Sequence, residues 1–240
     1  ELSLYDLTFR VLTLIFRVNT LMKDLSTRTS ALFTDCTRDK ILKNSLELFN
    51  RKGFVSVTTS LLASSAKVRE GTLWYHFKSK KSLVESHIDL FKANIDQRLD
   101  TVGRIDLEIL IKQLFSQYYF NWDFRYLFRD NLADNLSTDK SISNKLNDLT
   151  QLRFNQIKQE ALTGRELGVF DFKENELDEL SEIIFLVADN WFALSSKKYP
   201  DKDENFLMQR GMGLLIKVSE PYLSTESKII IKDLHGGVIA

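Results

Sequence analysis

The chain has few of the residues that interrupt helices or cross-link a fold. Its 240 residues include two prolines, nine glycines and one cysteine. Because helix breakers are so few and apolar residues recur with a period near 3.6, the sequence predicts an all-α fold. The lone Cys36 excludes an intramolecular disulfide and a cysteine-rich metal site. This cysteine usage fits a reducing compartment, and we expect a cytoplasmic location.

The common signatures of catalysis are also missing. The sequence contains no HExxH, GxGxxG, GxxxxGK[ST] or GxSxG motif, and His76, His87 and His235 are far apart along the chain. A helical enzyme is one alternative, but it would need paired acidic and basic groups in a pocket, and no such spacing stands out. We therefore expect no catalytic residues, no metal site and no cofactor.

The first 21 residues are rich in apolar side chains but are interrupted by Asp6, Arg10 and Arg17. Their longest uncharged run, Val11–Phe16, is too short to cross a bilayer or to form the core of a signal peptide. One interpretation is a segment upstream of the true start, since the first methionine is Met22, or a poorly ordered extension. The other is an amphipathic helix at a membrane surface. The lack of a clean apolar stripe favours the former, so we expect a loosely ordered extension over residues 1–33 and no membrane partner.

A basic block stands out within a chain whose formal net charge is zero. Residues 37–81 contain ten Lys and Arg against three Asp and Glu, a balance of +7, so the other 195 residues sum to −7. The pattern predicts a helix from Thr37, as N-cap, to Lys52, a Gly53 stop, a Thr58 cap and a second helix. A turn at 66–69, a short helix at about 70–77 and a longer helix at about 80–101 follow. This order is typical of a helix-turn-helix domain, which we place at residues 34–82.

Residues 58–83, TTSLLASSAKVREGTLWYHFKSKKSL, resemble the DNA-binding module of the TetR family of bacterial repressors. The residues that match the family pattern are Thr58, Leu62, Ala63, Gly71, Thr72, Leu73, Phe77, Lys80 and Leu83. The resemblance implies that Lys80 binds a phosphate and that Tyr75 and His76 contact the DNA backbone. Short helix, exposed polar groups and flanking lysines together predict double-stranded DNA as a partner. The candidate DNA-binding residues are Thr58, Thr59, Lys67, Arg69, Gly71, Thr72, Trp74, Tyr75, His76 and Lys80.

Three residues depart from the family pattern. Lys67 occupies a turn position that is usually Gly, which predicts a non-Gly residue with positive φ. Arg69 replaces the usual Ser cap of the recognition helix, and Trp74 replaces Tyr. Because Lys67 and Arg69 add positive charge, we infer that local stability was exchanged for phosphate contact. The alternative is a slightly degenerate module that still folds because Leu62, Leu73 and Phe77 pack together.

The larger C-terminal part is predicted to be helical throughout. About five further helices are expected at 106–121, 124–135, 139–164, 174–196 and 203–220, within a domain at residues 83–223. Residues 224–240 show no helical period and are expected to form a loose or edge-like tail. The resemblance implies that this domain binds an effector and mediates dimerisation, with effector binding tilting the helix that begins at Lys80.

Eight aromatic residues lie within the fourteen positions from Phe115 to Phe128. Such a cluster suits either a pocket for a small apolar or aromatic effector or a filled core at two crossing helices. The candidate ligand-binding residues are Phe115, Tyr119, Trp122, Tyr126 and Arg129. A filled core would favour an alternative function, a TetR-fold DNA-binding adaptor whose C-terminal domain binds a protein.

The last two predicted helices are apolar on more than one face, so each must be buried on more than one side. In the family that this chain resembles, such helices pair across a twofold axis. The sequence therefore predicts a homodimeric, ligand-responsive transcriptional regulator, most simply a repressor, that binds a palindromic operator.

Overall fold

Helices joined by short turns make up most of the described chain. The structure is a computed structural model, and it describes residues 25–99, 107–129, 132, 136 and 140–235. The helices are α1 Thr27–Ser30, α2 Thr37–Lys52, α3 Thr59–Ser65, α4 Glu70–His76, α5 Lys80–Leu99, α6 Leu107–Asp123, α7 Lys140–Glu166, α8 Leu177–Lys198, α9 Glu204–Ser219 and α10 Thr225–His235. Short 3-10 helices lie at Arg125–Phe128, Glu174–Glu176 and Glu220–Tyr222. The predicted all-α fold, with an N-terminal helix-turn-helix domain and a larger helical domain, is confirmed.

The ends of α2 follow from the residues that flank it. Thr37 is its first residue rather than its cap, because Cys36 takes the cap position and its Sγ accepts a hydrogen bond from the Asp39 amide at 3.4 Å. Two hydrogen bonds from Thr34 hold the Asp39 carboxylate beside this end and lower its pKa, partly opposed by burial. Gly53 ends α2 as predicted, with φ of 77°, a conformation that favours glycine.

The hydrophobic core of the helix-turn-helix domain continues into the larger domain. Phe49, Leu73 and Phe77 are buried together with Phe120 and Tyr126 from the end of α6 and the segment after it. A second core joins α6 to α8, α9 and α10. Since α6 contributes to both cores, the two domains share one packed interior, and α5 crosses the predicted boundary at residue 82.

The structure corrects the expectations for both ends of the described chain. Part of the predicted N-terminal extension is packed: Thr29 is fully buried, and α1 carries Ser26 as an N-cap. The predicted loose tail instead contains α10, whose Ile231 is buried against the second core. Three consecutive isoleucines hide the helical period there, because Ile231 and part of Ile230 face the core whereas Ile229 is exposed. Residues 1–24 and 236–240 lie outside the described residues.

No helix in the described part of the chain is long and apolar enough to cross a membrane. Among the same residues, no group of three or more His, Cys, Asp or Glu side chains is arranged to hold a metal ion.

Candidate nucleic-acid interface and effector cavity

The turn between α3 and α4 has the strain that its sequence predicts. Thr58 caps α3, its Oγ1 accepting from the Leu61 amide at 3.2 Å. Lys67 has φ of 56° and is the one non-Gly residue with positive φ among the described residues. Hydrogen bonds from the Lys67 and Val68 amides to carbonyls of α3, at 3.1 and 2.9 Å, close the turn around it. The Lys67 side chain is exposed, so its ammonium group extends into solvent beside α4.

The α4 helix is anchored on one side and exposed on the other. Leu73 is fully buried and Phe77 nearly so, as a recognition helix requires. Arg69 occupies the N-cap position but makes no capping hydrogen bond, because a guanidinium has no acceptor, and its side chain is exposed. Tyr75 is 77% exposed, and a Cβ added at Gly71 would meet nothing within 4 Å.

We call the exposed side of this turn and helix the recognition surface. Its members are Lys67, Arg69, Gly71, Thr72 and Tyr75. The half-buried His76 lies at its edge, with its ring against that of Tyr75 at 5.2 Å between centroids. Trp74 differs from the expectation, since it is half-buried and packs against the core of the domain. Thr59 is half-buried at the start of α3, next to the capping Thr58.

Lys80 is engaged within the protein rather than directed outward. Its Nζ donates to the Phe54 and Val57 carbonyls at 2.7 and 2.6 Å and lies 4.4 Å from the centroid of the Phe54 ring. Burial lowers the pKa of its ammonium group. Two of its three N–H groups are therefore committed to holding the α2–α3 loop, and a phosphate could accept from only one more. A DNA contact by Lys80 stays a prediction, but its role in the structure is to fix that loop.

A cavity of about 140 Å³, open to solvent on one side, lies in the larger domain between α6, α7, α8, α9 and α10. Its walls are mostly aliphatic and aromatic, and they come from residues spread over more than 110 positions of the chain. The residues that line it are Ile111, Leu114, Phe115, Gln117, Tyr118, Asn121, Ile157, Glu160, Ala161, Val169, Phe170, Ile184, Ala188, Met212, Leu215, Ile216, Ser219, Leu223 and Ile231.

Of the five candidate ligand-binding residues, Phe115 alone lines this cavity. Trp122 is buried in the second core against Phe192, and Tyr119 is half-buried at the edge of that core. Tyr126 and Arg129 lie on the opposite side of α6, near the helix-turn-helix domain. The aromatic cluster is thus mostly filled core, since alternate rings of α6 face opposite ways. The residues that line the cavity give only a weak sequence signal, because aliphatic residues at helical spacing are equally typical of an ordinary core.

A buried polar junction connects the helix-turn-helix domain to the end of α6. Its members are Asn50, His87, Asp123 and Tyr126. The Asn50 side chain donates to the Asp123 carbonyl at 2.6 Å and accepts from the Tyr126 amide at 3.1 Å. The Asp123 carboxylate accepts from the amide and hydroxyl of Ser26, and burial raises its pKa. These bonds tie α2, α1 and α6 at a single place.

His87 adds α5 to the junction in a defined tautomer. Its Nε2 lies 3.0 Å from the Leu42 carbonyl, which can only accept, so Nε2 carries the proton. Nδ1 then accepts from the Tyr126 hydroxyl at 2.6 Å. Burial lowers the pKa of His87 to about 4, against a smaller opposing effect of the Leu42 carbonyl. The neutral imidazole is therefore the form that this site stabilises.

Comparison with known proteins agrees with this arrangement. The profile of a family described as "Bacterial transcriptional repressor" (TetR) matches residues 90–229, and that of "Bacterial regulatory proteins, tetR family" matches residues 41–86. The chain belongs to the TetR family. A TetR-family transcriptional regulator from Marinobacter aquaeolei has a similar solved structure, with 26% identity and a TM-score of 0.66 over 84% of this chain and 98% of that one.

Curated TetR-type relatives match over shorter segments. The uncharacterized HTH-type transcriptional regulator YerO of Bacillus subtilis is 33% identical over 88 residues, which are 34% of this chain and 30% of YerO. The biofilm-operon negative transcriptional regulator IcaR of Staphylococcus aureus is 39% identical over 51 residues, 21% of this chain and 27% of IcaR. The matched segments thus span less than a third of each curated relative.

Proposed function

We propose that this TetR-family regulator is a dimeric repressor that binds a palindromic operator and releases it when an effector enters the cavity. The observation that supports DNA binding is the recognition surface itself. It combines two features that a helix needs in order to bind in the major groove. These are an exposed Tyr75 on a short, anchored helix and two exposed cationic side chains at the preceding turn. Such a protein acts where the DNA lies, in the cytoplasm.

The charges of the recognition surface suit a division between backbone and base contacts. Lys67 and Arg69 lie at the N-terminal end of α4, where they can bind phosphates at the edge of the major groove. Gly71 carries no side chain that would hold the sugar-phosphate backbone away. Thr72 and Tyr75 then face the groove, with hydroxyl groups that can reach base edges or phosphates.

An exposed apolar strip on α8 supports dimerisation. Leu186 is 58% exposed and Leu194 is 49% exposed, eight residues apart on the same side of the helix. Ile183 and Val187 are half-buried beside them. A strip of this kind is unfavourable in water, and self-pairing of α8 and α9 across a twofold axis would cover it. The twofold axis would place two α4 helices to read a palindrome.

Two polar links support a response to an effector. The cavity wall includes Gln117, whose side-chain oxygen accepts from Arg28, and Arg28 also donates to Asn94 of α5. Asp123, two residues after the cavity-lining Asn121, belongs to the junction with α2. An effector that prefers a displaced α6 would therefore shift both α5 and α2, provided that it binds the two conformations with different affinity.

The adaptor alternative receives less support. The aromatic cluster is a filled core, as that alternative requires, but a cavity lies directly beside it. A concave site with mostly apolar walls suits a small molecule better than it suits a protein surface.

The test is selection of bound sequences from random DNA at one fixed salt concentration. We compare the unmodified chain, the double variant Tyr75→Ala/Arg69→Ala and the control Lys52→Ala, which removes an exposed charge at the end of α2. Enrichment of a palindrome by the unmodified chain and the control, and its loss in the double variant, is the expected result. Equal enrichment by all three would show that α4 does not read the DNA.

Dimerisation is tested separately by sedimentation. Leu186→Glu/Leu194→Glu should yield monomers, because it places four carboxylates in the proposed interface. The control is Ile229→Glu, at an apolar residue of α10 that is 60% exposed and lies off this strip. A dimer that survives the double substitution but not Ile229→Glu would move the interface to α10.

A further inference from the structure

One side chain at the start of α4 has a charge opposite to that of the recognition surface around it. Glu70 is the first residue of α4 and directly follows the cationic Arg69. Its side chain is exposed, and it forms no hydrogen bond or ion pair with any residue in the described part of the chain, Lys67 and Arg69 included. The carboxylate is therefore neither buried nor neutralised within the protein.

The place of Glu70 in α4 is one from which a recognition helix reads bases. In helix-turn-helix domains the N-terminal residues of that helix contact base edges in the major groove. The next residue, Gly71, has no side chain, and a Cβ added there would meet nothing within 4 Å. Buried Leu73 and Phe77 hold α4 against the rest of the domain. DNA that approaches this end of α4 closely therefore meets the Glu70 carboxylate.

A carboxylate in the major groove is selective because it can only accept hydrogen bonds. Guanine and thymine present acceptors there, so neither base offers it a partner. Adenine presents its N6 amino group beside the N7 acceptor, which repels the second carboxylate oxygen. Cytosine presents its N4 amino group with no acceptor beside it on the same base. Of the four bases, cytosine is thus the one that suits Glu70.

We infer that Glu70 reads a cytosine in each half of the operator, while Lys67 and Arg69 bind the flanking phosphates. This inference rests on the proposed operator binding and deepens it by naming one base. The two cations offset the repulsion between the carboxylate and the phosphates. Glu70 then contributes specificity more than affinity, because a site without the cytosine leaves an unpaired negative charge beside the DNA.

Glu70 also lies in the first turn of α4, where a carboxylate stabilises a helix through its dipole. Two substitutions separate this effect from a base contact. Glu70→Asp keeps the charge in the first turn but shortens the side chain by one methylene group. Glu70→Gln keeps the length, removes the charge and supplies an amide that can pair with N6 and N7 of adenine.

The first test is selection of bound sequences from random DNA at one fixed salt concentration. The unmodified chain should enrich cytosine at one position of each half-site. Glu70→Gln should change that position to adenine, or leave it without a preference, and keep the rest of the site. Asp89→Asn, which removes an exposed carboxylate from α5, is the matched control and should select the same site as the unmodified chain.

The second test is titration by fluorescence anisotropy with the selected operator and a copy in which adenine replaces that cytosine in one half-site. The unmodified chain should prefer the cytosine operator by about 5- to 100-fold. Glu70→Gln should lose or reverse this preference. Glu70→Asp should weaken the preference while its melting temperature stays that of the unmodified chain, since only the reach of the carboxylate has changed.

The outcomes separate this inference from the proposed function. A palindrome selected equally by the unmodified chain and Glu70→Gln, with the same base at every position, would overturn the inference and leave operator binding intact. A base other than cytosine at the position that Glu70→Gln alters, or full retention of the preference by Glu70→Asp, would also overturn it. If the unmodified chain enriches no palindrome, the proposed operator binding fails and the inference fails with it.

Discussion

The turn that precedes α4 offers a direct test of whether this protein gave up stability for DNA contact. Lys67 has a left-handed backbone conformation that favours glycine, and Arg69 leaves the N-cap of α4 without a side-chain acceptor. Lys67→Gly and Arg69→Ser each restore the residue that the TetR pattern usually has. We expect the double variant to be more stable and to bind operator DNA more weakly.

The gain in stability can be worked from two separate causes. A non-Gly residue in the left-handed region costs about 1–2 kcal/mol, which the substitution removes. Glycine also gives the unfolded chain more conformational entropy, and this offsets about 0.4–1 kcal/mol of the gain. Lys67→Gly should therefore increase the free energy of unfolding by about 0.5–1 kcal/mol. A Ser at the N-cap in place of a non-capping residue adds about 0.5–2 kcal/mol. For a chain of this length each kcal/mol raises the melting temperature by about 2–4 °C.

The loss of affinity has a different origin and a different signature. In a dimer the double variant removes four positive charges from the two recognition surfaces. Each lost phosphate contact should reduce the slope of log affinity against log salt by about 0.9. The assays are urea unfolding and operator titrations at several salt concentrations. Lys67→Arg is the matched control, because it keeps both the charge and the strained conformation.

Two results would refute the reasoning independently. A double variant no more stable than the unmodified chain would show that the strain and the missing cap have little cost. An unchanged salt slope would show that Lys67 and Arg69 do not bind phosphates, and the turn would then be a slightly degenerate version of the family module.

Further predictions concern the buried junction and the packing of α9. His87→Gln should flatten the pH dependence of stability, measured by urea unfolding at each pH. In the unmodified chain the unfolded histidine binds a proton below about pH 6.5, whereas the folded one binds it only near pH 4, so the free energy of unfolding should fall by roughly 3 kcal/mol between these two pH values. Asn50→Ala should cost about 2–4 kcal/mol in the same assay, because it leaves a buried carbonyl and a buried amide unpaired; a cost below 1 kcal/mol would mean that water replaces the side chain. Gly211→Ala should lower the melting temperature, since its Cβ would overlap the Tyr118 hydroxyl, whereas Gly213→Ala meets nothing and should be neutral or slightly stabilising.

The helix-turn-helix domain could be predicted almost completely because its signals are local. The Gly53 stop, the Thr58 cap and the apolar spacing of Leu73 and Phe77 each act within one or two turns of helix. Even the positive φ of Lys67 follows from its position in the turn. What the sequence did not indicate was that Lys80 would turn back to two carbonyls of the α2–α3 loop, a contact across more than 20 residues.

The cavity illustrates the opposite case. Its lining comes from five helices, and residues such as Ile157, Ala188 and Ile216 carry no local mark that separates a pocket wall from a filled core. The dense aromatic cluster gave the stronger sequence signal, but of its eight rings only Phe115 and Tyr118 line the cavity, since rings on a helix point to several sides. Only the packing of α6 against two cores decides which of them face empty space.

That position of α6 is also what makes an effector response physically reasonable. One side of the helix forms cavity wall, and its C-terminal end, two residues after Asn121, is bonded to α2 through Asp123 and Asn50. Midway along it, Gln117 is linked through Arg28 to α5. Packed interiors respond to a displaced helix by small rigid shifts rather than by local compression. We therefore expect a ligand that moves α6 to shift α2 or α5, the two helices that flank α3 and the proposed recognition helix α4.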